Sequence, residues 1–121
     1  MNYSFDLIEF FIHSLLYNLP CFQISKLDIV NNGKLVSWSD NKVLASEPIF
    51  VPNPTIENPQ EDDGVVLAAL LYEDDQYKTS LLVLDAKDMK ELARVDFKAH
   101  GPVTATFHGL YAGDNDKVHF Y

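Results

Sequence analysis

The sequence predicts an all-β chain, an antiparallel β-meander with a short N-terminal helix, and three observations carry that expectation. Segments of strand length recur at roughly ten-residue spacing, with clusters of Gly, Pro, Asn and Asp between them. The first twenty residues instead space their apolar side chains as a helix would. With 121 residues, 47% of them hydrophobic and 12% aromatic, the chain has ample material for a packed core. Its length suits one small domain or a piece of a larger one.

Taken in order, Phe5, Ile8, Phe11, Ile12, Leu15, Leu16 and Leu19 fall on one helical face, and Pro20 would end the helix. The segment does not read as a secretory signal. No Lys or Arg precedes it, Asp6 and Glu9 interrupt it, and no small-residue cleavage site follows. It is too short and too polar to span a bilayer, and it lacks the basic face of a membrane-surface helix, so its apolar side is expected to dock on protein. Residues 23–30 and 34–39 read as strands of a hairpin turning at Asn31-Asn32-Gly33. Residues 46–51 form the next strand, before a loop that Pro52, Pro54 and Pro59 keep irregular. An acidic turn, Glu61-Asp62-Asp63-Gly64, leads into an apolar strand over 65–72, and a second one follows over 77–84. Residues 92–97 alternate apolar and polar side chains as a half-buried strand. His100-Gly101-Pro102 breaks the chain, and residues 103–111 form the last strand.

Such a meander is the unit of a β-propeller blade and also suits a small sandwich. The apolar runs 65–71 and 81–84 are expected to be buried on both faces. A single four-stranded sheet offers no covering layer, so the isolated chain should self-associate through its edges.

The formal net charge of −9 argues against a nucleic-acid partner and against a polybasic membrane anchor. Cys21 is the only cysteine, which excludes an internal disulfide and a cysteine-based zinc site and fits a reducing, cytoplasmic compartment. No base or cation beside it marks it as reactive, so it reads as a small buried apolar residue. The acidic clusters at 61–63 and 114–116 lack the spacing of a calcium loop and read as solvated turns. By residue context alone, His108 between Phe107 and Gly109 is a core histidine satisfied by backbone. Glu47, which precedes Pro48, is an extended and exposed residue on the same ground.

A family resemblance changes that reading. Ser46-Glu47-Pro48-Ile49-Phe50-Val51-Pro52 resembles the S-E-P-x-F-V-P segment of the carotenoid cleavage oxygenases. Glu61-Asp62-Asp63-Gly64-Val65-Val66-Leu67 is similar to that family's acidic turn and following strand. Leu82-Val83-Leu84-Asp85-Ala86-Lys87, Glu91-Leu92-Ala93-Arg94-Val95 and Phe107-His108-Gly109 continue the likeness in register. Lys26-Leu27-Asp28, Gly33-Lys34 and Trp38 stand where the preceding hairpin would put them, so the resemblance covers about residues 22–112. It divides the chain into a helical leader unlike the family (1–21), a propeller segment (22–112) and a tail (113–121). Animal carotene oxygenases and the retinoid isomerohydrolase are the nearest in character.

The resemblance implies a seven-bladed propeller, of which this chain would be the last blade or blades. Such a propeller carries an axial Fe(2+) held by four histidines, with three glutamates behind them. His108 matches the last iron ligand and Glu47 the last supporting glutamate. The remaining histidines, His13, His100 and His119, match no ligand position, so the other ligands would come from blades outside this chain. The implied substrate is a carotenoid or retinoid, cleaved by O2 at a polyene double bond. Within this chain alone the metal site would be incomplete and inactive; a non-catalytic β-meander derived from the family is the alternative. Contact with a membrane is left open.

Overall fold

The computed structural model describes residues 8–14, 22–30, 32–106 and 108–117. The regular elements among them are eight strands: β1 (Ile8–Ser14), β2 (Phe22–Asp28), β3 (Lys34–Trp38), β4 (Val43–Ala45), β5 (Ile49–Pro52), β6 (Gly64–Tyr72), β7 (Lys78–Asp85) and β8 (Glu91–Lys98). Each pairing is antiparallel. One sheet has the order β1-β2-β3; the other has the order β4-β6-β7-β8, with β5 also on β6. The all-β expectation therefore holds, and no helix among the described residues is long and apolar enough to cross a membrane.

Four expectations need correcting. The short N-terminal helix expected to span residues 5–19 is contradicted at Ile8–Ser14, a strand paired with β2 from Ile8↔Asp28 to Ser14↔Phe22. Ile8 and Ile12 satisfy a period of two as well as a helical one, and Phe10 between them fits only the period of two. Their β-branched and aromatic character, with a free strand beside them, decides for the sheet. The rest of that leader, including Cys21, lies outside the described residues.

The last strand, expected over 103–111, does not form in its described part. Pro102 breaks the chain after β8, and Val103 donates its N–H to the Gln76 carbonyl at 2.8 Å. The segment is thereby drawn back across the β6–β7 turn instead of adding to the sheet edge. The runs at 65–71 and 81–84 are not buried on both faces either. In β6 and β7 burial alternates, with Val66, Ala68, Leu70, Ser80, Leu82 and Leu84 inside and the residues between them half-buried or exposed.

The hairpin between β2 and β3 turns where the sequence indicated. Asn32 and Gly33 take φ of 60° and 68°, the left-handed region that Asn and Gly tolerate best. The strand stops at Asp28, so Ile29 and Val30 are exposed in the connection.

The two sheets share one core. Ile24 of β2 and Trp38 of β3 pack with Val43, Val66, Ala68, Leu70, Leu82, Leu84, Ala86 and Met89. Phe10 of β1 stacks on Phe50 of β5, with ring centroids 5.7 Å apart and planes 9° from parallel. Lys26 lies in the same interface, 4% exposed. Its ammonium is held by Asp62 at 2.6 Å and by the Lys87 carbonyl at 3.0 Å. Asp63, also buried, pairs with Lys87 at 2.6 Å. The acidic turn at 61–63 is thus an ion-paired joint rather than a solvated turn. The turn at Asp114–Asp116 is exposed and closed on itself through Gly113.

Candidate metal-ligating pair

Glu47 owes its position to an irregularity between β4 and β5. Both strands pair with β6, but the register slips by one residue between Ala45↔Leu70 and Ile49↔Leu67. Three residues, 46–48, therefore oppose two, 68 and 69, which is a β-bulge. Ser46 keeps contact with β6: its N–H donates to the Ala69 carbonyl at 2.8 Å, and its hydroxyl accepts the Ala69 N–H at 2.8 Å. Glu47 and Pro48 step out of the ladder, and the carboxylate faces the returning C-terminal segment.

That segment brings the partner. After Ala99 donates to the Tyr77 carbonyl and Val103 to that of Gln76, the chain runs past β4 and β6. An apolar crevice of about 250 Å³ remains there, lined in part by Leu44, Ala45, Leu71, Thr79 and Val103 and bordered by Glu47. Beyond it, His108 Nδ1 lies 3.2 Å from Glu47 Oε2, and the Gly109 N–H donates to the same oxygen at 3.3 Å. Residues 61 positions apart in sequence meet here. Both remain accessible, with side-chain exposures of 86% for His108 and 43% for Glu47.

The arrangement has a definite chemical sense. A neutral imidazole protonated on Nδ1 donates to the carboxylate, which leaves the Nε2 lone pair on the opposite side of the ring, free for a metal. The carboxylate fixes that tautomer and makes the nitrogen a better donor. The pair therefore fits iron as one nitrogen ligand with its support. Among the described residues no group of three or more His, Cys, Asp or Glu is placed to hold a metal ion.

His108 and Glu47 are thus brought together, while His100 sits exposed in the turn after β8. The side chain of His13, and Phe107 and His119 altogether, lie outside what the structure describes. Gly109 sits close against β5: a Cβ there would come within 2.8 Å of Ile49 Cδ1. Sequence reasoning did not single out the Ser46 hydroxyl or the Gly109 amide. A small hydroxyl residue just before Glu47-Pro48 was the one available signal for Ser46.

Known proteins contain segments similar to this chain. A family model described as retinal pigment epithelial membrane protein matches residues 16–113. The chain is similar to a carotenoid isomerooxygenase of Drosophila melanogaster, 42% identical over 100 residues, covering 73% of this chain and 16% of that protein. It is likewise similar to a beta,beta-carotene 15,15'-dioxygenase of Mus musculus, 40% identical over 94 residues, covering 78% and 16%. A crystal structure of an ACO/RPE65 chimera aligns with a TM-score of 0.62 at 33% identity, over 74% of this chain and 18% of that one. A mutant Synechocystis apocarotenoid oxygenase aligns with a TM-score of 0.57 at 34% identity, over 66% and 16%. The chain thus spans about a sixth of the length of the curated relatives it matches.

Proposed function

From the premise that this chain belongs to the carotenoid oxygenase family described as retinal pigment epithelial membrane protein, we propose that it supplies the last part of an iron-dependent enzyme that cleaves a carotenoid or retinoid polyene with dioxygen. The observation that carries the reading is the 3.2 Å contact between His108 Nδ1 and Glu47 Oε2, at the two positions the resemblance assigns to the metal site.

In this reading Nε2 of His108 is one of four imidazole ligands, and the other three come from parts of the fold that this chain does not contain. Iron(II) held by neutral imidazoles would supply a dicationic centre able to activate O2. Glu47 keeps the His108 proton on Nδ1 and so keeps the nitrogen lone pair aimed at the metal. One O2 adds across one carbon–carbon double bond, that bond breaks, and each carbon leaves as a carbonyl, so no outside reductant is needed.

The test is oxygen stoichiometry in a carotene dioxygenase whose corresponding segment is replaced by residues 16–113. One O2 consumed per two carbonyl products is expected. Turnover of a retinyl ester to an isomerised alcohol without oxygen would replace the cleavage reading with isomerohydrolysis. A second reading, a docking module without catalysis, rests on the exposed apolar side chains of β8. It would be favoured by a replaced enzyme that folds, binds iron and performs neither reaction.

A further inference from the structure

We infer that Ser46 is a positioning residue for the Glu47–His108 pair, acting through the bulge between β4 and β5. In a regular antiparallel pair, Ser46 and Ala69 would exchange two backbone hydrogen bonds. Only one of them is present, Ser46 N–H to Ala69 carbonyl at 2.8 Å. The Ala69 N–H goes to the Ser46 hydroxyl instead, also at 2.8 Å. The side chain replaces its own carbonyl as acceptor, which lets the backbone leave the ladder at that residue without stranding an amide. The residue that leaves is Glu47, and the one-residue slip turns Ile49 to the face opposite Ala45. The hydroxyl therefore fixes where the Glu47 carboxylate emerges, and with it whether Oε2 reaches both His108 and Gly109.

Ser46 touches neither His108 nor any position a metal would take; its part is to hold the carboxylate's backbone. The inference rests on the reading of Glu47 as the support of His108, and the test separates the two.

The experiment is amide hydrogen exchange by NMR on the full chain, read at Ala69 and Gly109. Loss of a single hydrogen bond is worth about a 3- to 10-fold faster exchange. Ser46→Ala should speed Ala69, and it should speed Gly109 to a similar degree although the two residues do not touch. Ser46→Thr, which keeps the hydroxyl, should restore both. Thr79→Val removes a hydroxyl bonded to the Leu70 carbonyl on the same strand, and it should leave Gly109 unchanged. If Glu47→Gln leaves Gly109 exchange at its original rate, the carboxylate contact itself is absent and the underlying reading fails. If Glu47→Gln exposes Gly109 while Ser46→Ala exposes only Ala69, the positioning role is overturned and the contact stands. If Thr79→Val moves Gly109 as much as Ser46→Ala does, the effect is general loosening of the sheet, which also overturns the inference.

Discussion

On the inner face of the five-stranded sheet, Val66, Ala68, Leu70, Leu82 and Leu84 lie buried beneath β2 and β3. On the outer face of the same sheet, Leu81 of β7 and Val95 and Phe97 of β8 remain 37%, 47% and 52% exposed. Chemically the two faces are alike, since both are apolar along β6 and β7. They differ in what covers them. The chain covers one face with its own first sheet; across part of the other it lays only the segment after Val103. Stability therefore resides on the inner face. The outer face, with the Glu47–His108 pair at its rim, stays largely accessible.

Substitutions can break or sharpen that contrast. Leu82→Ala empties a fully buried position in the middle of the inner face and should cost about 2–5 kcal/mol, enough to unfold much of a marginal domain. Urea unfolding followed by tryptophan fluorescence measures it, because Trp38 lies in the same cluster. A cost below that of an outer-face change would show that the two sheets do not share a core.

Lys26→Ala comes next. It removes the ammonium that ties β2 to Asp62 and to the Lys87 carbonyl, but Asp62 stays partly hydrated once freed. A loss of about 1–3 kcal/mol is expected, less than for a fully buried pair. A change near zero would mean that the acidic turn is not a joint between the sheets.

Acid should loosen the same joint. The Lys87 ammonium and the Gln60 amide hold the Asp63 carboxyl below its ordinary value near 3.8. The Ser80 hydroxyl and Lys78 do the same for Asp96. A carboxylate depressed in the folded state contributes its stability above the unfolded pKa and loses it as pH falls through the folded one. The melting temperature should accordingly hold from neutral pH down to about pH 4 and fall below that, and Asp63→Asn should shallow the fall. An unchanged profile in that variant would remove Asp63 from the account.

The smallest effect on stability is expected on the outer face. Phe97→Ser should change unfolding free energy by less than about 1 kcal/mol, since half of the ring is already in water. It should nonetheless reduce self-association, which sedimentation velocity would follow. If the stability loss matched that of Leu82→Ala, the outer face would be as structural as the inner one.

Much of this was legible in the residues. The alternation and punctuation of the chain gave β2, β3 and β5 to β8 within a few residues, and Asn32-Gly33 marked its turn. The pairing of Glu47 with His108 was implied by the resemblance, not by local pattern. Without it, each residue had an ordinary reading. What stayed hidden depends on partners distant in sequence. The pattern around Ile8–Ser14 suits helix and strand alike, and β2 decided between them. The segment after Pro102 has strand composition, but the bond from Val103 to Gln76 carries it across the β6–β7 turn and away from the open edge of β8. β4 is three residues long, too short to show a period. The Asp62 and Asp63 ion pairs depend on Lys26 and Lys87, which only the fold brings near.

The central claim, that His108 is a metal ligand supported by Glu47, is tested most directly by iron content per chain in the segment-replaced enzyme. His108→Ala should abolish stoichiometric iron. Glu47→Gln should weaken retention by roughly 10–100-fold, and His100→Ala should leave it unchanged. Iron lost equally in His100→Ala and His108→Ala, or retained in full by His108→Ala, would contradict the assignment.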